Sequence, residues 1–346
     1  MALVRKVGIL NGGGDAPGLN AVIRGVVTRL SRESVEITAF LEGWKGIIEN
    51  RTRPLKANDL QDIVRLGGTI IGSSRTNPWK SPQRDVPRLK ETFRRHGLDG
   101  LIAIGGDDTL GVANRLWREE QLPVVGVPKT IDNDLSATDY TFGFDTAVNI
   151  CIEAIDRLIT TAESHRRIMI VEVMGRHAGH IAAQAGMGTA ADVILVPERT
   201  MNLAQIVAAL ERARSRGRLY NLIVVAEGAQ VEGATAVKAA PDDAFGHPTL
   251  GGIAERLAEM LKQALKYEVR TMTLGHLQRG GPPSAFDRDL GSRYGVKAAE
   301  LALAGQWGQM AALRGSEVVA VGLGEAVGTL RTVPPAFLDT MELFFA

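Results

Sequence analysis

Short apolar runs at 35–40, 101–104, 124–127, 168–173, 192–196, 221–226, 270–274 and 317–322 alternate along the chain with helical patterns near 17–31, 108–119, 143–161, 177–187, 203–216, 251–266 and 288–304. Strands separated by helices pair in parallel and bury both faces of their sheet under those helices, so an α/β chain with largely parallel sheets is expected. Only 5% of the residues are aromatic, which leaves the core to Val, Ile and Leu, the usual filling of parallel sheets. A length of 346 residues suggests two domains or two lobes sharing a large core. In such sheets ligands bind outside the carboxyl ends of the strands, so the residues following each apolar run are where chemistry is expected.

Three of those places carry clusters. Val124-Val125-Gly126-Val127 empties into Pro128-Lys129-Thr130-Ile131-Asp132-Asn133-Asp134. Two carboxylates, a hydroxyl and an ammonium on seven residues suit phosphate handling. In an extended segment Asp132 and Asp134 would face the same way, one able to take a proton and the other to hold a metal. Leu101-Ile102-Ala103-Ile104 leads into Gly105-Gly106-Asp107-Asp108-Thr109, where glycines admit a bound group close to the backbone and a helix start offers N–H donors to an anion. Adjacent carboxylates beside phosphate repel it unless a cation intervenes, so Asp107 and Asp108 imply Mg²⁺ or an ammonium, with Lys129 a candidate for part of that charge. Val7-Gly8-Ile9-Leu10 runs into Asn11-Gly12-Gly13-Gly14-Asp15-Ala16-Pro17-Gly18 and then a helical pattern, again the geometry of an anion site. Neither the GxGxxG of dinucleotide folds nor the GxxxxGK[ST] of P-loops is present, so neither of those mechanisms applies.

Composition narrows the classes. Forty Lys+Arg against 39 Asp+Glu leave a net charge of +1 without a basic tail, which argues against nucleic acid as a partner. One cysteine, Cys151, excludes an intrachain disulfide, suits a reducing compartment and reads as plain core. No stretch of eighteen apolar residues occurs and Met1 to Val7 runs straight into a strand, so a cytoplasmic protein without membrane contact is expected.

Over roughly residues 4 to 310 the chain resembles the 6-phosphofructokinase family. The resemblance is carried by GGGDAPGLNAVIRG (12–25), GGTIIGSSR (67–75), IGGDDT (104–109), PKTIDND (128–134), EAIDRL (153–158), SHRRIMIVEVMGRHAGH (164–180), VPE (196–198) and LGHLQRGG (274–281). It implies two similar lobes, each a largely parallel sheet flanked by helices: a phosphoryl-donor lobe of 1–137 plus about 251–304, and a sugar-phosphate lobe of 138–250 plus about 305–346. It implies that Asp132 accepts the proton of a sugar 1-hydroxyl, with Thr130 contacting the transition state and Lys129 and Asp134 beside them. Such a carboxylate suffices as base, because phosphoryl transfer is mostly positioning and charge stabilisation. Asp107 is implied as the Mg²⁺ ligand, Gly13 and Arg75 as donor-phosphate contacts, and Lys80 as a weaker one. Fructose 6-phosphate would be held by Arg167, Met174, Gly175, Arg176, Glu227, Arg270, His276 and Arg279, the arginine forks suiting a phosphate monoester. Arg167 and Arg270 would reach across a subunit interface, which makes the expected protein a homo-oligomer, dimer or tetramer, with shared sites.

Two positions bear on the donor. ATP-using members of the family usually have glycine where this chain has Asp108 and Lys129, whereas pyrophosphate-using members have Asp and Lys. A carboxylate at 108 would lie where the α-phosphate of ATP must go and repel it. Pyrophosphate is therefore the expected donor, with reversible transfer and work in glycolysis and gluconeogenesis. An ATP-dependent enzyme is the alternative; a non-catalytic regulatory subunit is another, opposed by the presence of Asp107, Asp132 and Asp134. Arg24, Arg216 and Arg218 fall at basic positions of the family's regulatory site, but Thr28 and Ile159 stand where arginine is usual, so weak allosteric control is expected.

Elsewhere plainer readings hold. Residues 228–249 and 78–88 read as surface loops, with a lid role the alternative for the first. His177 and His180 lack a third ligand nearby and read as structural or substrate-proximal. Trp44 reads as packing and Glu198 as a charge at a helix N-terminus.

Overall fold

The computed structural model describes residues 4–80, 85–232, 237–240 and 249–345. In chain order β1 (Lys6–Asn11), α1 (Leu19–Ser31), β2 (Glu36–Phe40), α2 (Trp44–Ile48), β3 (Thr52–Pro54), α3 (Val86–Arg95), β4 (Gly100–Gly105), α4 (Asp107–Glu120), β5 (Val124–Pro128) and α5 (Phe144–Ser164) come first. β6 (Ile168–Val173), α6 (His180–Gly188), β7 (Val193–Leu195), α7 (Leu203–Ser215), β8 (Asn221–Ala226), β9 (Val237–Ala240) and β10 (Thr249–Gly251) follow. The chain ends with α8 (Ile253–Ala264), β11 (Val269–Thr273), α9 (Ala285–Leu303), β12 (Gln309–Arg314), β13 (Glu317–Gly322), α10 (Leu323–Ala326) and α11 (Pro335–Glu342).

The strands form a seven-stranded sheet ordered β13-β12-β5-β4-β1-β2-β3 and a four-stranded sheet ordered β11-β6-β8-β7, with β9 and β10 a separate hairpin. Within the large sheet only the edge strands β3 and β13 pair antiparallel; the small sheet is parallel throughout. The expected α/β architecture is present, and its reason is visible in the residues. Val7, Ile9, Ile102, Ile104, Val125 and Val127 point to one face, packing with Val22, Ile23 and Val26 of α1 and Leu290 and Tyr294 of α9. Leu10, Leu101, Ala103 and Val124 point to the other, against Leu89 and Phe93 of α3 and Leu110 and Leu116 of α4. Side chains alternate across a strand, so near-continuous apolar runs must be covered on both sides.

The expected division of the chain into lobes is corrected by the sheets. Residues 251–304 do not travel together: α8 and β11 join the small sheet, where Ile253, Leu257, Leu261 and Val269 enter its core, whereas α9 packs on α1. Residues 305–346 divide as well, because β12 and β13 extend the large sheet beside β5, while Leu338 and Met341 of α11 enter the core of the small one. Strand pairing, a long-range choice, divides these segments differently from the lobes that the resemblance implied.

The segment 78–88 is not wholly an exposed loop. α3 starts at Val86 with Pro87 in its first turn, a position where proline's missing N–H is harmless, and Val86 is core. Of the loop 228–249, residues 233–236 and 241–248 lie outside the described residues. Among the described residues no helix is long and apolar enough to cross a membrane.

Candidate active site

Three loops leave the carboxyl edge of the large sheet side by side. After β1, the Gly12 N–H donates to the Ile104 carbonyl at 2.9 Å and the Gly13 N–H to that of Ser74 at 3.0 Å, while the Ser73 hydroxyl donates to the Gly13 carbonyl at 2.6 Å. A Cβ at Gly12 would stand 2.4 Å from Thr109 Oγ1, so glycine is what lets the first loop lie on the start of α4. After β4, Asp107 and Asp108 occupy the first turn of α4, where the helix dipole favours carboxylates. Arg75 follows Ser74, exposed beside the Gly13 loop.

The third loop, after β5, holds Lys129. Its side chain is only 3% exposed, and Nζ donates to the Gly14 carbonyl at 2.6 Å. Burial, reinforced by the Arg279 charge, pushes its pKa down to about 7, with Asp15, Asp132 and Asp134 pulling the other way. A neighbouring anion would favour its charged form.

The segment beyond Lys129 is a turn, which corrects the extended geometry expected for Asp132 and Asp134. The Asp132 N–H donates to Thr130 Oγ1 at 3.1 Å, and Asn133 lies in the left-handed region with φ 52°. Thr141 clamps the turn: its hydroxyl donates to the Thr130 carbonyl at 2.7 Å and its N–H to Asn133 Oδ1 at 3.0 Å. The carboxylates still feel each other. Burial and then the Asp132 charge raise the pKa of Asp134 well above the usual carboxylate range. Asp132 Oδ1 is buried without a hydrogen-bond partner, so it is free to accept a hydrogen bond from a ligand hydroxyl.

The carboxyl edge of the small sheet faces these loops. Arg176 follows β6, and the Gly228 N–H donates to the Gly175 carbonyl at 3.1 Å; a Cβ on Gly228 would lie 1.9 Å from the Arg176 carbonyl. Glu227, after β8, is raised to about 7 by burial and then by Asp132, against the pull of Arg176 and Arg279. Arg176 Nε is buried and unpaired. A tight turn, Gly275–Arg279, follows β11 and carries His276, which is exposed, and Arg279. Arg279 reaches across the cleft, its Nη1 donating to the Asp15 carbonyl at 3.0 Å. Gln278, missed by the sequence reading, is fully buried: its Oε1 accepts from the Met174 N–H at 3.1 Å and its Nε2 donates to the Gly275 carbonyl at 3.0 Å, tying the β6 and β11 loops together. A polar residue inside a glycine-rich turn was the only signal it offered.

Arg167 and Arg270 lie elsewhere. Arg167 precedes β6 and Arg270 is early in β11, whereas Met174, Gly175 and Arg176 follow β6 at its other end, ~20 Å of strand away. Both arginines bind Glu268, Arg167 through Nε at 2.6 Å. In a single chain they do not join the cluster around Asp132.

The plainer residues fall into place. His180 is buried and its pKa is pushed down to about 4, chiefly by burial; its Nε2 lies 3.2 Å from the Arg331 carbonyl, so it donates there as a neutral ring. Glu198 accepts from the Gly179 N–H at the start of α6, Trp44 is fully buried, and Cys151 is core. Arg218 is engaged internally with buried Asp192 at 3.1 Å.

Glycine-rich loops and the buried Lys129 on one edge, arginines on the opposite edge and Asp132, with one carboxylate oxygen unpartnered, between them are an arrangement that suits phosphoryl transfer. The family model described as Phosphofructokinase matches residues 6–302. The chain is 52% identical over 342 residues, 98% of itself and 99% of the relative, to a pyrophosphate–fructose 6-phosphate 1-phosphotransferase of Amycolatopsis methanolica. It is 48% identical to an ATP-dependent 6-phosphofructokinase 2 of Streptomyces coelicolor, over 98% of itself and 100% of that relative. The crystal structure of a pyrophosphate-dependent phosphofructokinase from Marinobacter aquaeolei superimposes with a TM-score of 0.81 at 26% identity, covering 99% of this chain and 92% of that one. The chain belongs to the phosphofructokinase family.

Proposed function

We propose that the chain transfers a phosphoryl group from pyrophosphate to the 1-hydroxyl of fructose 6-phosphate, giving fructose 1,6-bisphosphate and phosphate, and runs the reaction in both directions. Overall identity does not choose the donor, since relatives named for pyrophosphate and for ATP stand at 52% and 48%. The observation that carries the choice is local: Lys129 is buried against the Gly14 carbonyl, and Asp108 lies in the first turn of α4, on the loop that leaves the neighbouring strand β4. A buried ammonium gives a small, highly charged donor the electrostatic hold that adenosine would otherwise supply, and the Asp108 carboxylate opposes a third phosphate.

In this reading pyrophosphate lies along the Gly13 loop near Lys129 and Arg75, and Asp132 takes the proton from the 1-hydroxyl as it attacks the terminal phosphorus in line. Thr130 and Lys129 contact the transferring group, and Asp134 reinforces the field around the base. Arg176 and Arg279 hold the sugar phosphate, with His276, Glu227, Met174 and Gly175 around it. Arg167 and Arg270 would complete the site of a neighbouring copy, because their own chain places them at the far end of the small sheet.

The residues fit Mg²⁺. Asp107 and Asp132 both push the Asp134 pKa upward, a mutual repulsion that a cation relieves. Mg²⁺ is usually held by one or two carboxylates together with substrate phosphates and water, so Asp107 would hold it without a protein cage. When bound it supplies charge neutralisation on the donor phosphates.

The test is the rate of fructose 1,6-bisphosphate formation with pyrophosphate and with ATP in parallel, at saturating Mg²⁺. Turnover with pyrophosphate alone is expected. Turnover with ATP alone would remove Asp108 and Lys129 as the donor-setting pair.

A further inference from the structure

The irregular segment 327–334 between α10 and α11 lies beyond the residues matched to the family, 6–302, yet it crosses the back of the base loop. Leu330 bridges Leu135 antiparallel. Arg331 then makes contacts in three directions. Its N–H donates to the Asp134 carbonyl at 2.9 Å, its Nη1 donates to the Asn133 carbonyl at 3.1 Å, and its own carbonyl accepts from His180 Nε2 at 3.2 Å. His180 opens α6, directly after the loop that carries Gly175 and Arg176. Two residues on, the Val333 N–H donates to Glu198, whose carboxylate also accepts from Gly179.

We propose that Arg331 is a positioning residue for phosphoryl transfer. Asn133 is the left-handed hinge between Asp132 and Asp134, and a non-glycine residue holds that conformation only when its surroundings over-determine it. Thr141 holds the Asn133 side chain from one side, and Arg331 holds the carbonyls of Asn133 and Asp134 from the other. Its backbone N–H on Asp134 and backbone carbonyl on His180 tie this segment to both loops whatever the side chain, so the bond from Nη1 to the Asn133 carbonyl is what the arginine itself adds. Arg331 thereby aims Asp132 at a substrate that it does not itself touch. This rests on Asp132 as the base.

The experiment compares wild type, Arg331→Ala and Arg331→Lys in steady-state kinetics with fructose 6-phosphate, Mg²⁺ and whichever donor wild type uses. Expected for Arg331→Ala is a kcat lower by about 10- to 100-fold, the effect of a misplacement near 1 Å. KM for both substrates should stay within about threefold, and Arg331→Lys and added guanidinium ion should each restore part of the rate. A kcat within twofold of wild type would overturn the proposal. So would a loss of rate that follows a matching fall in melting temperature and that neither lysine nor guanidinium restores. Should Arg331→Ala not fold, Arg331→Gln, which keeps bulk but loses the guanidinium reach to the Asn133 carbonyl, decides on the same kcat-against-KM split. An inactive wild type would instead refute the assigned reaction, and Asp132→Asn at full activity would refute the base, so the three failures are distinct.

Discussion

Replacing Lys129 with methionine keeps the unbranched apolar stem of the side chain and removes the buried charge. The Lys129 pKa of about 7, against 10.5 for an ordinary lysine, means that holding the proton in the fold is penalised by about 5 kcal/mol, at 1.36 kcal/mol per unit. Below pH 7 both the folded and unfolded chains carry that proton, so the penalty is fully present and does not vary. Between pH 7 and 10.5 the unfolded chain binds more protons than the folded one, so stability from this group rises with pH. The variant has no such dependence, and its stability relative to wild type should fall by about 3 kcal/mol between pH 6 and pH 9. Urea unfolding of both proteins without ligands at the two pH values measures this; a difference that does not change with pH would refute the buried-ammonium argument. The same charge has a functional reading. Pyrophosphate binding near neutral pH should take up a proton in wild type, seen by calorimetry in two buffers of different ionisation heat, and weaken as pH rises above 7. The methionine variant should show no uptake and bind pyrophosphate at least ~30-fold more weakly, the loss of a buried charge pair, with fructose 6-phosphate affinity little changed.

Asp132→Asn should lower kcat by roughly 10²- to 10⁴-fold, the range for a general base, with fructose 6-phosphate binding by calorimetry preserved; lost binding would make the carboxylate structural. Asp108→Gly should weaken pyrophosphate use and admit ATP, and an unchanged ratio of kcat/KM for the two donors would undo the charge argument. Arg270→Ala and Asp132→Asn should each be inactive, whereas oligomers assembled from both should recover activity, because one intact site can take its base from one copy and its arginine from the other. Mixed oligomers as silent as the parents would place Arg270 outside any shared site.

The placement of much of the candidate site at strand ends was legible, because phosphate chemistry favours such loops. Asp107, Asp132, Arg176 and Arg279 each follow an apolar run, and those runs are the strands β4, β5, β6 and β11. β12 was not legible: Gln309-Met310-Ala311-Ala312-Leu313-Arg314 is rich in alanine, which carries little strand preference, and only its place between β5 and β13 makes it a strand. Gln278 and Arg331 escaped for another reason. Each acts on backbone groups far away in sequence, Gln278 on Met174 and Arg331 on Asn133, and no local pattern records such a partner. The expected extended geometry at Asp132 to Asp134 failed because Thr130 and Thr141 offered side-chain hydrogen bonds that turn the chain.

By itself the sequence determined the alternation of strand and helix, the residues that leave each strand end and the kind of chemistry they carry, because these depend on side-chain periodicity and local backbone preference. Only the tertiary structure decided which strands share a sheet, that the carboxyl edges of the two sheets face one another, that Lys129 is desolvated enough to titrate near neutrality, and that Arg167 and Arg270 stand apart from Asp132. Those outcomes depend on long-range pairing and burial, in which the free energy of a residue is set by neighbours the chain brings to it from a hundred or more positions away, as Arg279 is brought to Asp15.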